Sequence, residues 1–257
     1  MKNLTLIILA VALTGCNPGS YGDSKKIDVE SISISTLNIY KNDSISGVGE
    51  FYHSNSVKAD LNLLATQEDI GCDINLLGMY VCTGTTGAQS DSIGDSSYIN
   101  TEVNGSSKNR AYQPAIIFNT NHGVLLFISV HFQAYKRDVA YEQARELVSK
   151  IQSYEYDHLI VAGDFNIAKG GCRYPECNPD SYEGNYFKRL KSEMNSIGLN
   201  MIGGSAPCWD DLTCTYGETH TLDYIFHSDG LIVDEYAVGK SGEISDHNMI
   251  STLMHFK

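Results

Sequence analysis

The chain has 257 residues, with 18 Lys+Arg and 31 Asp+Glu, which gives a formal net charge of −13 at pH 7. A chain of this length can bury a substantial core on its own, and 42% hydrophobic with 19% charged residues excludes a disordered protein. The acidic balance excludes binding of nucleic acid through a general basic surface. It does not exclude an enzyme that meets a phosphodiester through a bound cation, because the metal supplies local positive charge.

The N-terminus has the pattern of an export signal. An apolar run from Leu4 to Leu13 is too short to cross a bilayer as a stable anchor. It ends in Leu13-Thr14-Gly15-Cys16, which resembles a bacterial lipobox, in which the peptide is cut before a cysteine that then carries lipid. We predict a signal peptide over residues 1–15, lipidation of Cys16 and a tether over residues 16–30. An ordinary secretory peptide is the alternative.

Six further cysteines fit an exported chain. They are near neighbours in the sequence, as Cys72 and Cys82, Cys172 and Cys177, and Cys208 and Cys214. An oxidising compartment would join them as disulfides, and spacing favours nearest-neighbour pairs without fixing them. A zinc site is the alternative, but none of the pairs is CxxC and no histidine lies at finger spacing. We predict an outer-membrane lipoprotein that faces the periplasm or the cell exterior and meets the membrane only through its N-terminal lipid.

The hydrophobic pattern predicts more strands than helices. Strands are expected at 32–38, 61–66, 115–118, 124–130, 158–162, 222–226 and 250–254. A short helix is expected to end at 57–60, a turn at 121–123 and a long loop or weak hairpin at 83–110.

Two longer helices are predicted from apolar residues at helical spacing. The first covers Val139 to Ile151, with Asp138 as its N-cap. The second runs near Tyr186 to Ile197 and stops at Gly198. We therefore predict an α/β fold in which two packed β-sheets are flanked by helices.

Polar side chains follow the predicted strands in six short segments. Strand ends are rigid, and the loops there form clefts. The carboxylates in these segments suit Mg²⁺, Mn²⁺ or Ca²⁺, the histidines can donate to a phosphate or accept a proton, and the asparagines are neutral amide donors. The segments are Asn38, Gln67-Glu68, Ser129-Val130-His131, Gly163-Asp164-Phe165-Asn166, Leu222-Asp223-Tyr224 and Ser245-Asp246-His247.

The order and the residues of these segments resemble the motifs of the endonuclease/exonuclease/phosphatase superfamily, especially those of its DNase I-like members. The resemblance runs from about Ser31 to Phe256, and the segments at 163–166 and 245–247 carry most of its specificity. It implies one catalytic domain over residues 31–257 with a four-layered α/β sandwich. It also implies an enzyme that hydrolyses phosphodiesters with a divalent metal, for which we expect Mg²⁺, with Mn²⁺ or Ca²⁺ as alternatives.

The resemblance also implies how the cation and the base are supplied. Glu68 would hold the cation, with Asp246 and Asn38 at or near the same site. His247 would be the general base that activates water, and Asp223 would orient it.

Three more residues complete the set that the resemblance implies. Asp164 and Asn166 would position the attacking water and the scissile phosphate, and His131 would donate a hydrogen bond to the phosphate as charge develops. Each residue alone also fits an ordinary structural explanation, such as a turn residue or a core histidine. Their occurrence together in the family's order favours the catalytic interpretation.

Members of this superfamily act on different substrates. For this chain we predict DNA as the substrate, and the resemblance implies no protein partner. Arg110, Tyr112, His220 and Arg173 are candidates for contacting the substrate's phosphates, sugars or bases. DNase-like members usually carry an arginine one or two residues before Pro114, where this chain has Gln113 and Tyr112.

Two alternatives to a DNase stay open. His131-Phe132-Gln133-Ala134 resembles a stretch of sphingomyelinase-type phospholipases C, although the sequence shows no aromatic hairpin for entering a membrane. A catalytically inactive module that binds phosphate in the same cleft is the other alternative. The intact pair of His247 and Asp223 argues against it.

Overall fold

The computed structural model describes residues 26–39, 51–52, 54–56, 58–67, 80–84, 87–90, 95–103, 110–134, 136–168, 182–202, 214–216, 220–242 and 244–257. Within these ranges the chain forms twelve strands and two helices. The strands are Ser31–Asn38 (β1), Leu61–Gln67 (β2), Tyr80–Gly84 (β3), Gly87–Ser90 (β4), Asp95–Glu102 (β5), Arg110–Thr120 (β6), Gly123–His131 (β7), His158–Asp164 (β8), Leu199–Ile202 (β9), Asp223–Ser228 (β10), Leu231–Gly239 (β11) and Met249–Phe256 (β12); the helices are Arg137–Ile151 (α1) and Tyr182–Ser196 (α2).

The described strands form two six-stranded sheets. Sheet 1 has the order β11-β12-β1-β2-β3-β4, and sheet 2 has the order β5-β6-β7-β8-β10-β9. β1 and β2 are parallel neighbours in sheet 1, and β7 and β8 are parallel neighbours in sheet 2. Parallel neighbours end at the same edge of a sheet, so each sheet presents two adjacent strand ends at one edge.

Apolar side chains fill the space between the sheets. Ile32 and Ile34 of β1 face this core, as do Ile160 and Ala162 of β8. The opposite face of sheet 2 packs on α1 and α2, and the helical residues Phe51 and Tyr52 cover part of the outer face of sheet 1. The predicted sandwich of two sheets flanked by helices is therefore confirmed.

The prediction of a loop or weak hairpin at 83–110 is only partly right, because this region contributes the edge strands β4 and β5. β11, another edge strand, was not predicted; its exposed residues include Ile232 and Tyr236, and its register shifts between Val233 and Glu235. Edge strands lack two-sided burial and carry charged residues or bulges, so their sequences show little hydrophobic alternation.

Helix boundaries also differ from the prediction. α1 has Lys136 at its N-cap, with no side-chain cap bond, and Asp138 lies in its first turn, where a carboxylate still interacts favourably with the helix dipole. α2 begins at Tyr182 rather than near Tyr186. Residues 58–60 are not helical. Gly198, with φ +78°, ends the second helix as predicted.

The packed fold begins before Ser31. Ile27 donates from its N–H to the Asn119 carbonyl at 2.8 Å and accepts from the Asn121 N–H at 3.0 Å, and Val29 is fully buried. The predicted tether over residues 16–30 is therefore too long at its C-terminal end, because alternation of two apolar residues in a polar stretch gave too weak a signal. No helix in the described ranges is long and apolar enough to span a membrane.

Gly163 allows β8 to approach β7 closely just before both strands end. Its φ is +146°, and a Cβ there would lie 2.1 Å from the Val130 carbonyl oxygen. Backbone atoms cannot move aside as a flexible side chain can. Only glycine therefore places Asp164 beside His131 in the paired register without strain.

We predict that Gly163→Ala lowers the free energy of unfolding by about 3 kcal/mol or more, because it adds a backbone clash to an unfavourable φ. Gly198→Ala is the matched control: its φ is also positive but its Cβ would meet nothing within 4 Å, so the loss should be about 1 kcal/mol. Urea unfolding measures both. Equal losses in the two variants would contradict the role given to the Val130 contact.

Candidate active site

The side-chain alternation that builds the inter-sheet core also builds the candidate site. On β1 the face that carries Ile32 and Ile34 ends in Asn38, and on β8 the face that carries Ile160 and Ala162 ends in Asp164. Residues two apart on a strand share a face, so these last side chains point between the sheets. Gln67, His131 and Asp223 lie on the same inward faces of β2, β7 and β10.

Hydrogen bonds join the two sheets at this end. Asn38 Nδ2 donates to Asp164 Oδ2 at 3.0 Å, and both residues are buried. Deeper in the core, Gln67 Nε2 donates to Ser129 Oγ at 3.4 Å and to Thr36 Oγ1 at 3.3 Å. A buried polar group is costly unless it is hydrogen-bonded. These hydrogen bonds offset the free-energy cost of burying polar side chains at this end of the core.

Asp164 is the centre of the cluster. Asn166 donates to it twice, from its backbone N–H to Oδ1 at 2.8 Å and from Nδ2 to Oδ2 at 3.2 Å. Asn166 has φ 50°, a conformation that asparagine tolerates better than most residues. The Nε2 atoms of His131 and His247 each lie 3.9 Å from Asp164 Oδ2. Four of the predicted site residues therefore surround one carboxylate.

His247 and Asp223 form a buried pair beside it. His247 Nδ1 lies 2.8 Å from Asp223 Oδ2, and since an ionised carboxylate only accepts, Nδ1 carries the proton. Nε2 is then the atom that faces Asp164. The loop before β12 is fixed by Ser245, whose Oγ accepts from the His247 N–H at 3.0 Å and donates to the Asn38 carbonyl.

Thr215 anchors the other member of the pair. Its Oγ1 accepts from the N–H groups of Leu222, at 2.9 Å, and Asp223, at 3.1 Å. Its carbonyl accepts from the Asn248 N–H at 2.7 Å. One fully buried residue therefore binds the backbone on both sides of the His247–Asp223 pair. Thr215 was not among the residues predicted from the sequence.

Burial and neighbouring charges shift the pKa values of Asp164 and His247. Burial, together with the charge of Asp223, raises the pKa of Asp164 to about 6, although His131, His247 and Asn38 act in the opposite direction. Burial opposes the charged form of His247, but the charge and hydrogen bond of Asp223, with Asp164 and Asp246, raise the pKa of His247 to about 9.

These groups suit a divalent cation. Asp164, Asp223 and His247 place ligand atoms within 4.8 Å of one another, and Asp223 Oδ1 is buried with no hydrogen-bond partner in the described structure. Burial raises the pKa of Asp164, and a cation nearby would oppose that rise. Of the two carboxylates, Asp164 is the one that lines the cavity over the cluster, so it is the better placed to face a cation. Oxygen donors of this type favour Mg²⁺, Mn²⁺ or Ca²⁺.

The other predicted metal ligands are less completely described. Asn38 contacts Asp164, and Asp246 is exposed at the mouth of the pocket. Glu68 follows β2 directly but lies outside the described residues. Its role as the main cation ligand stays a prediction.

A cavity of about 260 Å³ opens over the cluster. Its lining includes His220, whose contact with substrate stays a prediction. It also includes Arg137 at the start of α1 and Tyr216, neither of which was predicted. The Tyr216 ring lies 4.9 Å from the His247 ring, centroid to centroid. Its lining residues are Asn38, Ala134, Arg137, Asp164, Asn166, Ala168, Tyr216, His220, Leu222, Asp246 and His247.

Several predicted residues lie where the structure gives no side-chain detail. Arg110 and Tyr112 belong to β6, but their side chains are outside the description, and Cys82 of β3 is in the same position. Cys214 is buried. Besides Glu68, the predicted residues wholly outside the described ranges are Cys16, Cys72, Cys172, Arg173, Cys177 and Cys208. The disulfide pairing, the lipidation and the role of Arg173 stay predictions.

Comparison with known proteins gives the family of the chain. The model of the Endonuclease/Exonuclease/phosphatase family matches residues 49–247. The chain belongs to this family. The prediction of a metal-dependent phosphodiester hydrolase is thereby confirmed, as is a divalent metal ion as the cofactor of the family. No match was found among curated protein sequences.

Solved structures show the same fold at low identity. The family member from Bacteroides vulgatus is 14% identical with a TM-score of 0.58, over 88% of this chain and 99% of that one. The inositol polyphosphate 5-phosphatase domain of SPsynaptojanin, in complex with inositol (1,4)-bisphosphate and a calcium ion, is 15% identical with a TM-score of 0.58, over 88% and 84%. The endonuclease domain of TRAS1, a telomere-specific non-LTR retrotransposon, is 16% identical with a TM-score of 0.53, over 88% and 99%. The predicted DNase I-like sandwich is confirmed.

The raised pKa of His247 predicts how metal-free stability depends on pH. The folded-state value, about 9, lies above the ordinary 6.5, so the stabilisation is complete below pH 6.5 and is lost as pH rises through 9. Between pH 7 and 10 in EDTA, we expect the wild type to lose about 2–3 kcal/mol more than His247→Gln does.

His255→Gln is the matched control for this measurement. His255 Nδ1 also lies 2.8 Å from a carboxylate, Asp234 Oδ2, but this pair is exposed, so its removal should change the pH dependence little. Urea unfolding at the two pH values gives the comparison. The same pH dependence in the wild type and His247→Gln would contradict the buried pair as its source.

Proposed function

We propose that the protein is an exported, lipid-anchored DNase I-like endonuclease that uses Mg²⁺ to hydrolyse phosphodiester bonds of DNA. The observation that carries the hydrolytic part is the convergence on Asp164 Oδ2 of Asn38 at 3.0 Å, Asn166 at 3.2 Å and two imidazole Nε2 atoms at 3.9 Å. Such an arrangement can hold a water molecule and the phosphate oxygens against fixed donors.

The roles follow from which atoms are already occupied. Asp223 holds the Nδ1 proton of His247, so Nε2 faces the pocket and can exchange a proton with water. Asp164 and Asn166 orient the water and the scissile phosphate. His131, at the end of β7 with a partly exposed side chain, donates to a phosphate oxygen as negative charge develops there.

The proposed mechanism requires His247 to lose a proton, and a bound cation would favour that loss. With a pKa of about 9, His247 carries a proton at neutral pH in the metal-free protein, and a general base must lose it. A divalent cation held by Asp164, Asn38, Asp246 and Glu68 would supply Lewis-acid stabilisation of the phosphate and positive charge that lowers the pKa of His247.

The walls of the pocket favour a nucleic-acid strand over a lipid headgroup. Arg137 contributes a cation where a neighbouring phosphate can lie. Tyr216 and His220, whose ring centroids are 6.4 Å apart, offer flat surfaces for a sugar or base. A similar fold in the TRAS1 endonuclease domain is consistent with this substrate.

A sphingomyelinase-type phospholipase C is less well supported. Such an enzyme needs apolar side chains beside the cleft to enter a membrane. Among the described residues, the exposed large hydrophobic side chains are Tyr98, Ile232 and Tyr236. Tyr98 is on β5, which contacts β4, whereas the other two are on β11 at the opposite edge of sheet 1. They do not form one patch.

A substrate panel tests the activity. Supercoiled plasmid DNA, RNA, sphingomyelin vesicles and bis(4-nitrophenyl) phosphate are each incubated with Mg²⁺ or with EDTA. We expect plasmid nicking with Mg²⁺ and none with EDTA. Cleavage of sphingomyelin alone would establish the phospholipase instead. An inert protein in all assays would favour the phosphate-binding module.

Substitutions in the buried pair should separate chemistry from folding. His247→Gln and Asp223→Asn should each lower kcat by roughly 10²- to 10⁴-fold, because proton transfer loses either its group or its orientation. His255→Gln, which removes an exposed histidine–aspartate pair of the same length, should leave kcat unchanged. Plasmid-nicking rates with circular dichroism as a folding check make the comparison. Wild-type rates in the first two variants would refute the assignment.

The proposed export and disulfides make a further prediction. Reduction should lower the melting temperature, because opening a disulfide frees the unfolded chain more than the folded one. Differential scanning calorimetry with and without dithiothreitol measures this, and an unchanged midpoint would contradict the disulfides.

Cys16→Ser should release the protein from the membrane fraction of the producing cell, and retention there would contradict lipidation.

A further inference from the structure

Gln113 lies close to the site without facing the pocket. Its side chain is fully buried on β6, next to Pro114. Within the described residues 110–134, the pairing of β6 with β7 runs from Thr120 and Gly123 to Ala115 and Ile128. Proline has no N–H and cannot donate a ladder bond. The backbone ladder therefore stops before it reaches His131.

The side chain of Gln113 continues the pairing where the backbone does not. Its Oε1 accepts from the His131 N–H at 2.9 Å, and its Nε2 lies 3.5 Å from the His131 carbonyl oxygen. Nε2 also donates to Thr101 Oγ1 on β5 at 3.4 Å. One primary amide thus contacts both backbone polar groups of His131, as a residue of a neighbouring strand would.

We propose that Gln113 is a positioning residue for His131. His131 is the last residue of β7, and the described pairing of β6 with β7 ends at Ala115 and Ile128. The Gln113 amide fixes the backbone, and the backbone fixes the direction in which the imidazole points, with Nε2 3.9 Å from Asp164 Oδ2. This inference rests on the proposed role of His131 as a donor to the phosphate.

DNase-like members usually carry an arginine one or two residues before this proline, and Gln113 stands there instead. A buried arginine would need a counter-charge, whereas a glutamine amide satisfies one donor and one acceptor of the same backbone residue. At this position the chain uses the side chain to hold His131.

Gln113→Met is the principal test, because methionine keeps the length and burial and removes both hydrogen bonds. It is assayed on a phosphodiester that the wild type cleaves in the panel, at saturating Mg²⁺. We expect kcat to fall roughly 10- to 100-fold, with KM unchanged since Gln113 does not reach the pocket. A rise in KM with kcat unchanged would overturn the proposal.

A double-mutant cycle separates positioning from a general loss of stability. In a His131→Ala background, Gln113→Met should cause no further loss of kcat. If kcat falls by the same factor in both backgrounds, Gln113 acts by another route, and the proposal is overturned. Gln143→Met is the matched control: Gln143 is also fully buried, and its Oε1 accepts from the Gln133 N–H at 2.8 Å. Its kcat should match the wild type.

Amide hydrogen exchange provides a reading that needs no substrate. Exchange at His131 should accelerate in Gln113→Met and stay at the wild-type rate in Gln143→Met. If the wild type cleaves no phosphodiester, the proposed function fails while this measurement still decides the positioning: unchanged exchange at His131 overturns it.

If Gln113→Met does not fold, Thr101→Val removes the other partner of Nε2 and should give a smaller loss of kcat that disappears in the His131→Ala background. A loss that persists there overturns the proposal.

Discussion

The buried carboxylate of Asp164 is the constraint on which this end of the molecule depends. An ionised group between two β-sheets is costly unless donors surround it, and this chain brings donors from both sheets. Asn38 reaches it from sheet 1, and Asn166 reaches it from the segment directly after β8 of sheet 2. Burial and Asp223 keep the pKa of Asp164 near 6. The carboxylate is therefore poised to gain from a nearby cation, which is the cofactor that the family uses.

The position of the site follows from two simple periodicities. Side chains on a strand alternate between faces, and the parallel neighbours in each sheet end at one edge. An apolar inward face that ends in a polar residue on several strands must collect those residues at one end of the inter-sheet core. Gly163 then lets β8 and β7 approach closely enough for Asp164 to stand opposite His131.

Much of this could be predicted from the sequence, because strand-end motifs such as Gly163-Asp164-Phe165-Asn166 keep their local order in space. The central strands and the inward Asn38 were accessible through alternation. Arg137 and Tyr216 were not, since they reach the pocket from a helix start and an isolated bridge to His247 that no local pattern encodes.

Other features were missed for a similar reason. The contacts of Gln113 and Thr215 with the site are made through backbone groups of distant residues. A sequence displays side chains but not which backbone groups lack a partner. The edge strands β4 and β5 were predicted only as a loop or weak hairpin, because their polar sequences show little hydrophobic alternation.

The long edge strand β11 affects how readily the protein would self-associate at a membrane surface, where the proposed anchor would place many copies side by side. Its bulge adjoins Asp234 and Glu235, so docking two such strands head to tail would bring acidic groups from both copies together. Like charges across a strand pair are unfavourable, and a bulge spoils the straight template that runaway self-association requires. The edge thus discourages aggregation even though Ile232 and Tyr236 lie open to solvent.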